Sequence, residues 1–332
     1  MASPVEGPTK PTAPAGADLA ACAHSKPRRQ LLKTLSLAGG LAWPALGHAA
    51  PASGAGRHND WVIRHEMRRA ADGTPSLELA VLHLLLSKTE ASHGPFRLET
   101  MPPRENLTQS RQMLDLRIGA LDLMATMTSK AREPDGIPVH TCMRRGLNGL
   151  RLPIALASRR RELEEVRSLE QVRQLRVAQV AHWPDASVMR ANGMTVLPIP
   201  RLDVFEAMLK RDRFDLFALA ADEAFGIVNA LPGVVVLSDW LLAYPSTFSF
   251  IVNHARPELA ERLRQGWRVV QADGSFEALH EKLVGAEVAQ AQLGSRRWLS
   301  LSNPELPPAA LRQDGRLWHP LVRQRVIAPL LR

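Results

Sequence analysis

Apolar positions recur along this chain with two alternating rhythms. A short apolar run at 61–63, inside "DWVIRHEM", reads as a strand. In "SLELAVLHLLLSKTEASHG" (76–94), Leu77, Ala80, Val81, Leu84 and Leu85 share one helical face, and Gly94-Pro95 stops the helix. "PFRLETM" predicts a second strand, "ENLTQSRQMLDLRIGA" an amphipathic helix, and "LDLMATMTS" a third strand. This alternation predicts a parallel sheet with crossover helices.

The rhythm then repeats. "GLRLPIALAS" (149–158) is apolar almost throughout and predicts a buried strand. Helices "SLEQVRQL", "DASVMRANG" and "RLDVFEAMLKRD" alternate with strands "RVAQV", "TVLPIP" and "RFDLFALA". Ser168, with Gln171 three residues on, has the pattern of a capping box. Asn192-Gly193 reads as a helix stop. In "RFDLFALA" the phenylalanines are expected in the core and Asp215 in a structural role. "GVVVLSDWLLAYPSTFSFIVN" predicts two more strands, and "PELAERLRQGWRVVQADGSFEALHEKLVG" two helices around the turn at 272–275. In the Pro-rich tail, Trp298, Leu299, Leu301, Leu306 and Trp318 are expected to pin the segment to the body.

Composition narrows the class. A hydrophobic content of 45% with 23% charged residues fits a globular chain, and 332 residues allow two domains. The formal charge of +9 comes without a basic face interleaved with aromatics, so nucleic-acid binding is not expected. Residues 25–50 explain part of that charge. Arg28, Arg29 and Lys33 precede a mildly apolar stretch, and Gly47-His48-Ala49 offers small residues for cleavage after Ala49. Arg28-Arg29 followed by Gln-Leu-Leu-Lys resembles a twin-arginine export signal. Lys33, Gly39, Gly40 and Pro44 interrupt the stretch, which falls short of the ~20 apolar residues of a membrane span. The expectation is a disordered leader plus signal over 1–49 and a periplasmic mature protein whose one cysteine, Cys142, cannot form an internal disulfide.

Several segments together resemble the type II periplasmic solute-binding proteins, in their polar-amino-acid branch serving ABC transporters. "GALDLMATMTSKARE" looks like that family's first-lobe strand followed by Thr-x-x-Arg-Glu. "LRVAQVAHWPDASVMRANGMTVLPI" with "VFEAMLKRDRFDLFALAADE" looks like its second-lobe βαβαβ unit. "PSTFSFIVNHARPELAERLRQGWRVVQADGSFEALHEKLVG" looks like its return crossover and closing helices. The resemblance covers residues 58 to 285 and implies a two-lobed α/β fold with two crossover segments. It divides the chain into a first lobe of 58–150 and 246–332 and a second lobe of 151–245.

The resemblance implies a cleft for a small polar solute. Arg132 falls where the family clamps a ligand carboxylate, with Ser129 and Thr128 beside it. Asp222 falls where a carboxylate meets a ligand ammonium, with Glu223 as neighbour. His182-Trp183-Pro184-Asp185 replaces the usual Gly-Thr/Ser, which makes Trp183 a cleft wall or a packed side chain and Asp185 a helix-start residue or a ligand contact. His65 and Glu66, after the first strand, are further candidates. No aromatic sandwich for an amino-acid side chain is evident, with Trp61 assigned to the core and the only tyrosine, Tyr244, near the second crossover.

No zinc-type histidine pair, nucleophile elbow, Gly-rich phosphate loop or paired thiols appear. A binding protein rather than an enzyme is expected, monomeric and without a cofactor, with an inner-membrane permease as its partner. Two alternatives remain: a sensor input or scaffold with a filled pocket, and a lyase or hydratase using Glu66, Asp222 or Glu223.

Overall fold

The computed structural model describes residues 61–70, 72–102, 108–313 and 315–331. The leader, the export signal and the cleavage position after Ala49 lie outside them. The first lobe opens with β1 (Trp61–His65), α1 (Leu77–Lys88), the single-turn α2 (Glu90–His93), β2 (Phe96–Thr100), α3 (Gln109–Arg117), β3 (Leu123–Met127) and β4 (Ile137–Val139). The chain then builds β5 (Leu150–Leu156), α4 (Arg160–Glu164), α5 (Leu169–Arg173), β6 (Val177–Val180), α6 (Pro184–Ala191) and β7 (Val196–Ile199). The second lobe continues through α7 (Phe205–Lys210), β8 (Leu216–Ala220), α8 (Ala224–Val228), β9 (Val234–Val236) and β10 (Trp240–Ala243). The return crossover leads to β11 (Phe248–Val252), α9 (Pro257–Ala272), α10 (Ser275–Gln290) and β12 (Arg297–Ser300), followed by short helical turns.

The sheets are mixed rather than parallel. β1 and β2 pair in parallel, and β6 runs parallel to both β7 and β8. β5, however, is antiparallel to β8, β9 and β10, and β11 is antiparallel to β3 and β4. The antiparallel strands are those at which the chain passes from one sheet to the other. A strand that enters a sheet from a neighbouring lobe has no crossover helix to impose a parallel direction. The stretch expected to hold two strands holds three: β9, β10 and β11. The tail also departs from expectation. β12 pairs with β10 at the edge of the seven-stranded sheet, so this part of 246–332 belongs to the second lobe's sheet and not to the first lobe.

Local chemistry sets many boundaries. The Ser76 side chain accepts from Leu79 N at 3.3 Å to start α1, and Ser168 with Gln171 forms the capping box of α5. Pro184 and Pro257 occupy the first positions of α6 and α9, where no amide bond is lost. Asn192 caps α6, and Gly193 follows with a left-handed φ of 82°. The buried face of α1 is wider than the predicted stripe. Leu79, Leu82 and Leu86 are buried, while Ala80 and Leu84 are only partly so. Both α9 and α10 lie against α1, so it needs more than one apolar face.

The first lobe's core joins Ile63, Leu82, Leu85 and Phe250 to Leu263, Trp267 and Phe276. Trp61 is only half-buried at its edge, where its indole N–H donates to His93 O at 2.8 Å. In the second lobe, Phe214 and Phe217 are buried in the core, as the pattern predicts. Asp215 receives the Arg176 amide at 2.6 Å and also pairs with the Arg159 and Arg176 side chains. Burial alone would raise its pKa, but the hydrogen bonds from Arg176 and Arg159 hold its carboxyl well below the usual range. Of the tail residues, Leu299, Leu301, Leu306 and Trp318 are buried, and Trp298 packs partly buried on the second lobe's core.

Two crossovers run side by side between the lobes. Tyr244 N donates to Gly149 O at 3.0 Å, and Asn148 donates to Ser246 Oγ at 2.6 Å. At Gly146, φ is +77°, and a Cβ there would sit 2.8 Å from both Trp318 and Val322. The tail thus packs directly onto the first crossover, and only glycine fits the gap.

Candidate functional site

The ends of β1, β3, β6 and β8 and the two crossovers bring a polar cluster together between the lobes. At one end lies Arg132, just past β3. It is 9% exposed. Its Nη1 donates to Thr126 Oγ1, and its Nη2 donates to Gln109 Oε1 at 2.7 Å and to His182 O at 2.9 Å. Thr126 and Gln109 belong to the first lobe and His182 to the second, so one guanidinium spans the gap. Burial lowers its pKa to about 10, against the attraction of Asp185, and it stays charged near neutrality. The same charge, added to burial, lowers the pKa of His182.

At the crossover end the arginines are ion-paired. Arg144, on the first crossover, grips Asp222 through Nε at 2.8 Å and Nη2 at 2.5 Å, and reaches Glu223 at 3.0 Å. Arg151, inside β5, pairs with Asp185, bonds Tyr244 Oη at 3.0 Å, and lies 3.8 Å from Glu223. Tyr244 Oη in turn donates to Asp185. Burial opposes the charge on both arginines, yet the carboxylates beside them raise both pKa values above the usual range. Burial, reinforced by Asp185, pushes the Tyr244 hydroxyl well above its ordinary value. Fully paired charges of this kind hold one arrangement, because removing either partner leaves the other uncompensated.

The predicted residues therefore divide. Arg132, Asp185 and Asp222 all enter the buried cluster, with Glu223 at its half-exposed edge. Asp222 meets Arg144 rather than an open cavity. Thr128 bonds Ser249 Oγ at 3.0 Å, and its amide bonds Thr247 O, which ties β3 to the return crossover. Ser129 is buried, and its carbonyl accepts the amides of Arg132 and Glu133, shaping the loop that aims Arg132. Trp183 stands at the N-cap position of α6 and packs, partly buried, against the second lobe's core, in line with the packed alternative. His65 and Glu66 are both buried at the end of β1, and burial lowers the pKa of His65. Among the described residues, no group of three or more His, Cys, Asp or Glu side chains is placed to hold a metal ion.

Arg144, Arg151 and Gln109 carry much of this geometry, and the sequence reading missed them. Arg151 had a signal, since it interrupts an otherwise apolar strand. Arg144 stood in "CMRRGLNG", where a pair of arginines reads as a solvated turn.

No family model matches the chain, and no curated protein matches it by sequence. Solved structures do. A histidine kinase sensor domain with similarity to periplasmic binding proteins superposes with a TM-score of 0.51 at 18% identity, covering 69% of this chain and 97% of its own. Tv2483 bound to L-arginine superposes with a TM-score of 0.50 at 11% identity, covering 68% of this chain and 90% of its own. At these identities the likeness is one of fold. The architecture is the two-lobed α/β fold of periplasmic binding proteins.

Proposed function

We propose that this chain is an exported solute-binding protein whose interlobe cleft takes a small carboxylate-bearing solute, with Arg132 as the docking group. The observation that carries this reading is the set of partners around Arg132. The guanidinium is nearly buried and charged, and every side-chain hydrogen bond it makes goes to a neutral oxygen. A carboxylate in this position gives it a bidentate anionic partner and gains contacts from both lobes at once. Such differential contact favours the closed arrangement, which is how a two-lobed binder responds to its solute.

Asp222 sharpens the solute class. Arg144 already neutralises it, so an ammonium group has to compete with a bidentate arginine. Carboxylates without an ammonium are therefore favoured over the matching amino acids. The test is a thermal-shift panel comparing glutarate with glutamate and succinate with aspartate. The expected result is a larger rise in midpoint for the plain acids, lost in Arg132→Met. A rise that survives Arg132→Met removes Arg132 from the site. Silence across the panel favours a sensor or scaffold whose cleft is filled by its own ion pairs.

Export through the signal at Arg28-Arg29 and delivery to an inner-membrane permease complete the proposal. Intact mass of the periplasmic protein tests it, with cleavage after Ala49 expected. Arg28→Lys/Arg29→Lys is expected to retain the precursor in the cytoplasm.

A further inference from the structure

A second groove, of mixed apolar and charged lining, lies behind the crossover, away from the cleft cluster. It holds about 850 Å³ between the turn joining α9 to α10, the first crossover and the tail. That volume is ample for a small solute. Arg145, Arg316 and Arg323 line it, with Asp273 and Glu277. Among the described lining residues, arginines outnumber carboxylates three to two. Asp273 is taken up by Lys88 at 2.6 Å. The Arg145 Nε is buried without a hydrogen-bond partner, and its Nη2 reaches only Arg316 O at 3.4 Å. Arg323 lies flat against Gly315, where a Cβ would sit 3.1 Å from its Cζ, so that glycine makes room for the guanidinium. The start of α10 also borders the groove and adds its partial positive charge.

The backbone holds Arg145 in place at a cost. Its φ is +52°, a left-handed value uncommon for a side chain of this size. The conformation is fixed by Arg145 N donating to Cys142 O at 3.1 Å and by His319 N donating to Arg145 O at 2.8 Å. Glu277 supplies the remaining polar demand. Its Oε2 is buried without a hydrogen-bond partner, and it therefore calls for a donor on the ligand.

We infer that this groove binds a phosphate-type oxyanion, with Arg145 and Arg323 taking its anionic oxygens and Glu277 accepting a proton-bearing one. Two guanidinium forks suit a tetrahedral oxyanion. The Glu277 carboxylate favours hydrogen phosphate over sulfate, because sulfate has no proton to donate at neutral pH. The site is independent of the solute cleft.

Isothermal titration with inorganic phosphate and with sulfate at matched ionic strength tests the assignment on the full mature chain. The expected result is measurable phosphate binding, at least tenfold tighter than sulfate. Arg323→Gln is expected to weaken it by tenfold or more, with Arg145→Gln similar. Arg132→Met is expected to leave it unchanged, and Glu277→Gln to erase the preference over sulfate. Among the described residues Arg323 makes no ion pair, so Arg323→Gln remains decisive if Arg145→Gln misfolds. Absence of phosphate binding, equal binding in Arg323→Gln, or loss of binding in Arg132→Met overturns the proposal.

Discussion

The two ends of the cleft hold their arginines in opposite ways. At the crossover end, Arg144 and Arg151 are matched by Asp222, Glu223 and Asp185. At the other end, among the described residues, Arg132 bonds Thr126, Gln109 and a backbone carbonyl. A buried charge with carboxylate partners is spent on structure, whereas one with neutral partners still has an anionic partner to gain. Sequence position alone does not separate the two kinds. Only the fold shows which arginines are bound by carboxylates and which one bonds neutral oxygens.

The largest test of this contrast is Asp222→Ala. It strands Arg144 beside Glu223 alone and is expected to cost about 3 kcal/mol, read by urea denaturation. A cost below about 1 kcal/mol shows that the crossover end is not held by this pair. Replacing both partners, Arg144→Met with Asp222→Leu, is expected to recover most of that loss, since a well-packed apolar pair often equals a buried ion pair. The double-mutant cycle then measures the coupling directly. Arg132→Met is expected to change stability by less than about 1 kcal/mol, because lost hydrogen bonds are offset by relief of a buried charge. It is expected to abolish any carboxylate-induced rise in midpoint.

The smallest effect is a titration. His182 has a lowered pKa through burial and the Arg132 charge. Its contribution to stability is therefore full above its unfolded value of about 6.5 and is lost as pH falls below that. Arg132→Met is expected to move the His182 titration, followed by NMR, toward the ordinary value. Arg144→Met is expected to leave it in place. An unmoved His182 in Arg132→Met contradicts their electrostatic contact.

Local signals carried most of the secondary structure into view. The Ser168–Gln171 box, the Asn192-Gly193 stop and the prolines opening α6 and α9 are each decided within a few residues, and each is where the sequence places it. Strand direction was not local. Nothing in "GLRLPIALAS" records that it enters from another lobe, and β12 looks like loop until β10 offers its edge. Members of the buried polar cluster such as Arg132 and Asp222 stood out as positions, but their pairings did not. Arg144 and Asp222 lie 78 residues apart, and a buried arginine reads like an exposed one until the fold supplies its carboxylate.

The contact of Gly146 with Trp318 gives the molecule a built-in optical reporter. Any rotation of one lobe against the other must flex the first crossover, and Trp318 is wedged directly against it. The indole is buried, so lifting the joint off it changes its surroundings more than those of a surface tryptophan. In a variant that keeps Trp318 and replaces the other six tryptophans, emission is expected to change if a solute draws the lobes together.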